Sequence, residues 1–264
     1  MPAPQPLLVE PFEDTHLLRF PGFDAIPGFA HVITTRPWNM APHRGPDADK
    51  AVERRRRICV HLGFDFDKLT AADQIHSGHV VRIGSNDVGA GRFGRDTAVK
   101  FVDGLVSELP GVPLLQLSAD CLLILVVDPM RRALGTAHAS WRGTVAHIAS
   151  NLIRAMTQSF GSKPQDLMIG IAPCASPPRY EVGEDVCRIV REMLSAGESV
   201  LPKAPSGRRC FDLKGANTQA IMDMGVSPQN LITAAQCTMA DERFYSHRRD
   251  GETTGRFALF AGFR

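Results

Sequence analysis

The chain has little net charge: 30 lysines and arginines against 28 acids leave a formal +2, with both signs dispersed. That removes the electrostatic case for a nucleic-acid partner or an anionic membrane. It has no Cys-x-x-Cys pair, and its six cysteines fall at irregular spacing across 264 residues, which argues against a disulfide framework. No apolar stretch reaches the ~18–20 residues of a membrane span. Met1 to Phe12 offers prolines and acids instead of a basic region followed by an apolar core. Residues 1–12 therefore read as a flexible lead and not as a signal peptide. Internal repeats and an evident linker are also missing, so residues 13–264 are expected to form one domain, in a cytoplasmic, thiol-reducing setting.

What is present is a mixture of strand and helix signals. His31 to Thr35, Val80 to Ile83, Leu114 to Leu117, Leu122 to Val127, Leu167 to Ile171, Leu231 to Ala235 and Arg256 to Phe263 read as strands. Asp47 to Leu62, Thr144 to Phe160 (closed by Gly161), Glu184 to Ala196 and a segment capped by Asp212 and running to Met224 read as helices. Strands occur both as hairpins and joined by helices, so the expected class is α+β, with mixed sheets flanked by helices. The run Arg54 to Arg57 reads as the solvated face of its helix, with Val52, Cys59 and Val60 turned inward. Gly84 to Arg95 reads as a loop able to cover a site.

The chemistry concentrates between Cys121 and His138. Leu122 to Val127 is an unbroken apolar run, Asp128-Pro129-Met130-Arg131 is a turn, and Arg132 to Ala137 leads back. With Pro129 and Met130 as the two loop residues, Cys121 faces His138 across the hairpin. Directly opposed residues on antiparallel strands share a face. A thiolate and an imidazole there could grip one zinc ion, with His76 of Gln74-Ile75-His76-Ser77 as a third ligand and one position left open. His79 is the rival to His76; on a strand the two would point to opposite faces, so only one can serve. Ser118-Ala119-Asp120 interrupts two apolar runs, a costly placement unless those residues have partners or a task. Phe244 and Trp141 are candidates to stack on a substrate.

These blocks, with Ala119-Asp120-Cys121, Ala137-His138-Ala139-Ser140-Trp141-Arg142-Gly143, Asp103-Gly104-Leu105-Val106, Tyr180-Glu181-Val182-Gly183 and the closing Phe244 to Gly251 with Thr254-Gly255-Arg256, closely resemble the YfiH/LACC1 family of laccase-domain, polyphenol-oxidase-like proteins. The likeness runs from about residue 34 to 256. It departs at Ser140, where the family has glycine, and at Arg179, where it commonly has cysteine.

The resemblance implies a YfiH/CNF1-like fold and a metal set of His76, Cys121 and His138. It implies zinc-dependent phosphorolysis of adenosine, inosine, guanosine and methylthioadenosine, with inorganic phosphate as co-substrate and adenosine deamination beside it. Partners are then small molecules, and the chain a monomer or weak homodimer. Arg142, Arg36 and Arg248 are the expected phosphate clamp, since a guanidinium matches phosphate oxygens bidentately. Asp120 is a candidate proton carrier or partner of a histidine ligand, and Ser140, Trp141 and Phe244 are candidate substrate contacts.

Two other readings compete. Cys121 could be a nucleophile with His138 as base, in a hydrolase or amidase acting on peptidoglycan precursors. The chain could also be a non-catalytic, cell-wall-associated partner. A copper oxidase is disfavoured: the remaining histidines form no His-x-His pair.

Overall fold

Segments that are apolar at every position, such as 122–127 and Phe257–Phe263, belong where both faces are covered. The computed structural model, which describes residues 3–264, places them in that setting. One six-stranded sheet has the order β1 (Leu8–Phe12), β2 (Thr15–Arg19), β3 (Phe29–Thr34), β12 (Phe257–Phe263), β7 (Leu114–Ser118), β4 (Thr70–Ala71). The other runs β11 (Leu231–Thr233), β10 (Met168–Ile171), β8 (Leu122–Asp128), β9 (Ala133–Ala139), β6 (Gly104–Ser107), β5 (Val80–Arg82). Both are mixed: β4–β7, β5–β6 and β10–β11 are parallel and the other pairs antiparallel. This is the expected α+β class.

The sheets face each other across a core in which Leu123, Leu125, Val127 and Leu134 meet Ile33, Leu114, Leu259 and Ala261. The alternate residues of β8, Leu122, Ile124 and Val126, pack under α3 (Ile148–Phe160), α4 (Glu184–Met193) and α5 (Leu213–Asp223). On the far side, Val32, Leu115 and Phe260 lie beneath α1 (Ala51–His61). Truncating a side chain such as Leu123 or Leu125 to alanine in so dry a layer costs about 2–5 kcal/mol.

Four expectations change. Of the segment read as a flexible lead, residues 1 and 2 lie outside the described residues, but Leu8–Phe12 is an edge strand in full antiparallel register with β2, and Gln5 bridges Ala234. The helix expected over Thr144–Phe160 is two: α2 (Trp141–Val145) and α3, separated at His147, whose φ is 61°. The break turns the Ala146 carbonyl outward to accept from Asn151 Nδ2 at 3.3 Å. It also seats α2 against Gly78, where a Cβ would fall 2.2 Å from that oxygen.

Only half of the arginine run is a solvated face. Arg56 and Arg57 are exposed, but Arg54 and Arg55 are buried with Ala51, Ile58 and the expected Cys59, while Val60 is turned outward and 70% exposed. Finally, the β8–β9 hairpin pairs Asp128 with Ala133 and Leu123 with His138, so its loop has four residues and not two. The register moves by two positions, and a shift of two preserves the face. Cys121 and His138 remain on one side.

Candidate active site and metal centre

Three chain segments converge on the end of the second sheet. His138 is on β9 and points into the space between the sheets. Cys121 sits just before β8, after Asp120, whose φ of 99° turns the chain sharply out of β7. His76 lies in a turn and not on a strand, at φ 67°. Two devices hold that turn. The Gln74 side-chain amide zips onto β7, its Nε2 donating to Leu117 O at 2.7 Å and its Oε1 accepting from Leu117 N at 2.9 Å. The Asp103 carboxylate accepts the N–H groups of His76 (2.9 Å) and Ser77 (2.6 Å) and the Ser77 hydroxyl (2.9 Å).

The same carboxylate lies 2.9 Å from His138 Nδ1. Asp103, fully buried, thus sets both the backbone of one histidine and the ring of another. With Nδ1 donating to it, His138 presents Nε2 to the cavity, the orientation metal-binding imidazoles usually have. This partner was expected at Asp120. Asp120 is spent elsewhere: its Oδ1 accepts the Thr238 hydroxyl at 2.6 Å and its Oδ2 accepts Arg248 N at 2.7 Å. It positions the segment that carries Arg248 through α6 (His247–Asp250).

The ligand atoms of His76, Cys121 and His138 lie within 4.8 Å of one another, and the trio could hold a metal ion. Two imidazole nitrogens and a thiolate with one position to spare suit zinc in a catalytic site. Electrostatics agree with a thiolate here. Burial pushes the Cys121 thiol up, but His138 and His76 outweigh it and bring it below the ordinary thiol range. Burial pushes His138 down, yet Cys121 and Asp103 raise it above the ordinary imidazole range. The two share a proton as a pair. Cys59 and Cys174, with no such neighbours, are pushed up to about 12 by burial.

The trio opens onto a cavity of about 500 Å³. Asp120, Ser140, Trp141, Arg142 and Arg248 line it, and the Gly84–Arg95 loop contributes Gly91, Gly94 and Arg95. The Arg142 guanidinium rests 4.4 Å from the Trp141 ring, and Arg248 5.1 Å from that of Tyr180, which also lines the cavity. Ser140 Oγ is engaged as the cap of α2, accepting from Gly143 N at 3.0 Å.

Two candidates are not brought here. Phe244 is fully buried between the sheets, edge-on to Phe257 at 5.2 Å, as core. Arg36 lies outside the cavity, paired with Asp250 at 3.3 Å and stacked on Tyr245. His79 faces away, against Phe101 O. Arg44, Arg55, Arg95 and Arg256 also line the cavity. No local sequence pattern marks Arg44 or Arg95; Arg256 ends the Thr254-Gly255-Arg256 block, to which no role was given; for Arg55 the spacing Ala51, Arg55, Ile58, Leu62 is the signal of a buried stripe.

A family model described as multi-copper polyphenol oxidoreductase laccase matches residues 31–264. Over 229 residues the chain is 35% identical to purine nucleoside phosphorylase YlmD of Geobacillus stearothermophilus, covering 86% of this chain and 83% of that protein. It is 28% identical over 220 residues to adenosine deaminase RL5 from an unknown prokaryotic organism, covering 83% of this chain and 84% of that one. The crystal structure of the G. stearothermophilus YlmD superposes with a TM-score of 0.89 at 31% identity, over 98% of this chain and 100% of that one.

Proposed function

The chain belongs to the multi-copper polyphenol oxidoreductase laccase family, and we propose that it is a zinc-dependent purine nucleoside phosphorylase with adenosine deaminase activity. Adenosine, inosine, guanosine and methylthioadenosine are the proposed substrates, with inorganic phosphate. The observation that carries the reading is the His76–Cys121–His138 trio opening onto an arginine-lined cavity large enough for a small molecule. Relatives named as a phosphorylase and as a deaminase support it. His76, Cys121 and His138 would hold the metal. When bound, zinc supplies a Lewis acid and lowers the pKa of water at its open position toward ~7.

The chain's own groups do the rest. In phosphorolysis the bond from C1′ to the purine nitrogen breaks, an oxygen of hydrogen phosphate bonds to C1′, and the proton that the phosphate gives up leaves with the base. Guanidinium groups hold the phosphate and offset its charge as the sugar becomes cationic. The Trp141 ring offers a face for the base, with Arg142 stacked beside it. Asp103 holds a proton at His138 Nδ1 and so fixes that ring.

The test is to incubate zinc-loaded protein with adenosine, with and without phosphate, and separate the products. Adenine and ribose 1-phosphate formed only with phosphate support phosphorolysis; inosine in both incubations supports deamination; unchanged adenosine in both sinks the reading.

One observation favours a second reading. Cys121, held as thiolate beside a raised His138, is also the arrangement of a cysteine hydrolase. Alkylation separates the two: zinc protects a ligand cysteine, whereas a nucleophile is blocked without reference to metal.

A further inference from the structure

Besides the trio, the cavity lining carries a cationic cluster gathered around His43. Arg44 and Arg95 are exposed on the cavity rim and Arg256 is half-buried in its wall. Arg44 and Arg95 come from the segments after Met40 and before Ala98. The buried Arg55 ties those segments together, donating from Nε to Met40 O at 2.8 Å and from Nη1 to Gly91 O and Arg92 O at 3.0 Å. Arg256 uses only Nη1, toward Thr254 O (3.0 Å) and Gly255 O (2.8 Å).

Among the described residues, no carboxylate forms an ion pair with Arg44, Arg55, Arg95 or Arg256. Asp73, on the same lining, accepts Val102 N at 3.4 Å. His43 reports how close these charges are. Burial first, then Arg44, Arg55, Arg256 and Arg95, hold it below the ordinary imidazole range. Arg256 is lowered by burial and by Arg44, while Cys121 and Asp120 pull the other way, so it stands between the cluster and the trio.

Arg19, Arg191 and Arg243 each have one or two carboxylate partners, whereas Arg142 and Arg248, on the same cavity lining, pair with aromatic rings and not with carboxylates. A set of guanidinium groups converging on a cavity without counter-charge is arranged for an anion that arrives from outside. The other two lining arginines are placed differently. Arg142 and Arg248 lie over aromatic rings, and Arg248 donates to Glu181 O at 2.9 Å.

The ligand's shape fits the division. In a purine nucleoside, C6 and the glycosidic carbon lie at opposite ends of the ring system. A base whose C6 faces the trio directs C1′ away from it, so one pose serves both deamination at the metal and phosphate attack from the cationic cluster.

We propose that Arg44, Arg95 and Arg256 form the oxyanion pocket that takes inorganic phosphate, and that Arg142 and Arg248 do not hold it. The phosphate's role as co-substrate rests on the phosphorylase reading; its binding does not.

The test uses the zinc-loaded full chain and two readouts: calorimetric titration of phosphate without nucleoside, and steady-state phosphorolysis of inosine. Arg44→Ala and Arg95→Ala change exposed side chains and leave the fold unburdened; Arg256→Gln and Arg256→Lys complete the set, with Arg142→Ala and Arg248→Ala for contrast. Each loss of a charge-assisted contact from Arg44, Arg95 or Arg256 raises the phosphate Kd and KM by about tenfold or more, with the inosine KM moving less than about twofold. Arg256→Lys recovers part of the loss. The assignment is overturned if Arg142→Ala or Arg248→Ala weakens phosphate binding and the other three do not, or if the unaltered protein binds no phosphate. Phosphate binding that depends on Arg44, Arg95 and Arg256, in a protein that turns over no nucleoside, leaves the pocket standing and removes the phosphorylase reading.

Discussion

His31 and His138 are 1% and 4% exposed, each on a central strand and each facing the layer between the two sheets or its rim. His31 lies among phenylalanines, stacked on Phe20 at 5.6 Å and Phe29 at 5.5 Å, and its Nε2 accepts Phe20 N at 2.9 Å. Burial, then Arg19, lower its pKa to about 3. His138 has a carboxylate at one ring nitrogen and a thiol near the other, and its pKa rises. Equal burial produces a structural acceptor in one place and, in the other, a ring oriented by a carboxylate whose Nε2 can serve a metal once it gives up its proton. Partners decide which, because burial alone favours the neutral ring. Changing the partners is therefore the way to test whether the two regions differ as argued.

The largest effect is expected at the thiol. Cys121→Ala leaves two imidazoles where three ligands stood, and the protein should lose its bound zinc and at least about a thousandfold in turnover together. Metal analysis beside the phosphate-dependent assay checks both. A variant that keeps full activity without zinc removes the metal centre from the reading.

Next comes the carboxylate. Asp103→Asn keeps the shape but takes the charge from His138 Nδ1 and from the His76–Ser77 turn. Losing such an outer partner typically lowers metal affinity or activity about 10–100-fold. Competition with a chelator reads the affinity. An unchanged value means that the turn at His76 holds without Asp103.

The third prediction concerns His31. In the folded chain it takes a proton only near pH 3, and in the unfolded chain near the ordinary imidazole value of 6.5. The folded state then binds fewer protons across that window, so this contribution is complete above about 6.5 and is lost as pH falls toward 3. It amounts to about 2 kcal/mol between pH 8 and pH 5. His31→Gln retains an acceptor for Phe20 N but cannot titrate, and urea unfolding of both proteins across that range should show the variant's shallower slope. Parallel slopes would put the titrating site elsewhere.

Much of this was visible in the chain before its fold. The strands of both central layers show as apolar runs, and the His–Cys–His trio follows from the hairpin and from the Gln-Ile-His-Ser block. The hairpin survived an error in its own loop only because the error was two residues; one residue would have sent Cys121 to the opposite face. What stayed hidden is long-range. Asp103 meets His138 across 35 residues, and no local pattern reports that. Arg55 was concealed by its neighbours: three more arginines in the run suggest a solvated face, while the stripe through Ala51, Ile58 and Leu62 tells the opposite. Phe244 occupies a block rich in site-like residues, and neighbouring residues in a block can face different layers; Arg36 finds its partner Asp250 across 214 residues, which no local pattern reports.

Arg36 gives the smallest effect and the sharpest control. It carries the same charge as Arg256, and its partner Asp250 lies within the same closing block of the sequence. Yet its side chain is 39% exposed, its ion pair with Asp250 spans 3.3 Å, and its guanidinium lies 4.9 Å from the Tyr245 ring. An exposed pair of this kind contributes about 0–1 kcal/mol, and an exposed stack on an aromatic ring about 0.5–1. Arg36→Ala should therefore lower stability by no more than about 1–2 kcal/mol and leave kcat and both KM values within about twofold. Measuring it beside Arg256→Gln asks whether an arginine matters here for its charge or for lacking a carboxylate partner. If Arg36→Ala raised the phosphate KM as far as Arg256→Gln does, the arginine with a carboxylate would be equivalent to the one without, and the distinction between paired and waiting charges would fail for the arginines.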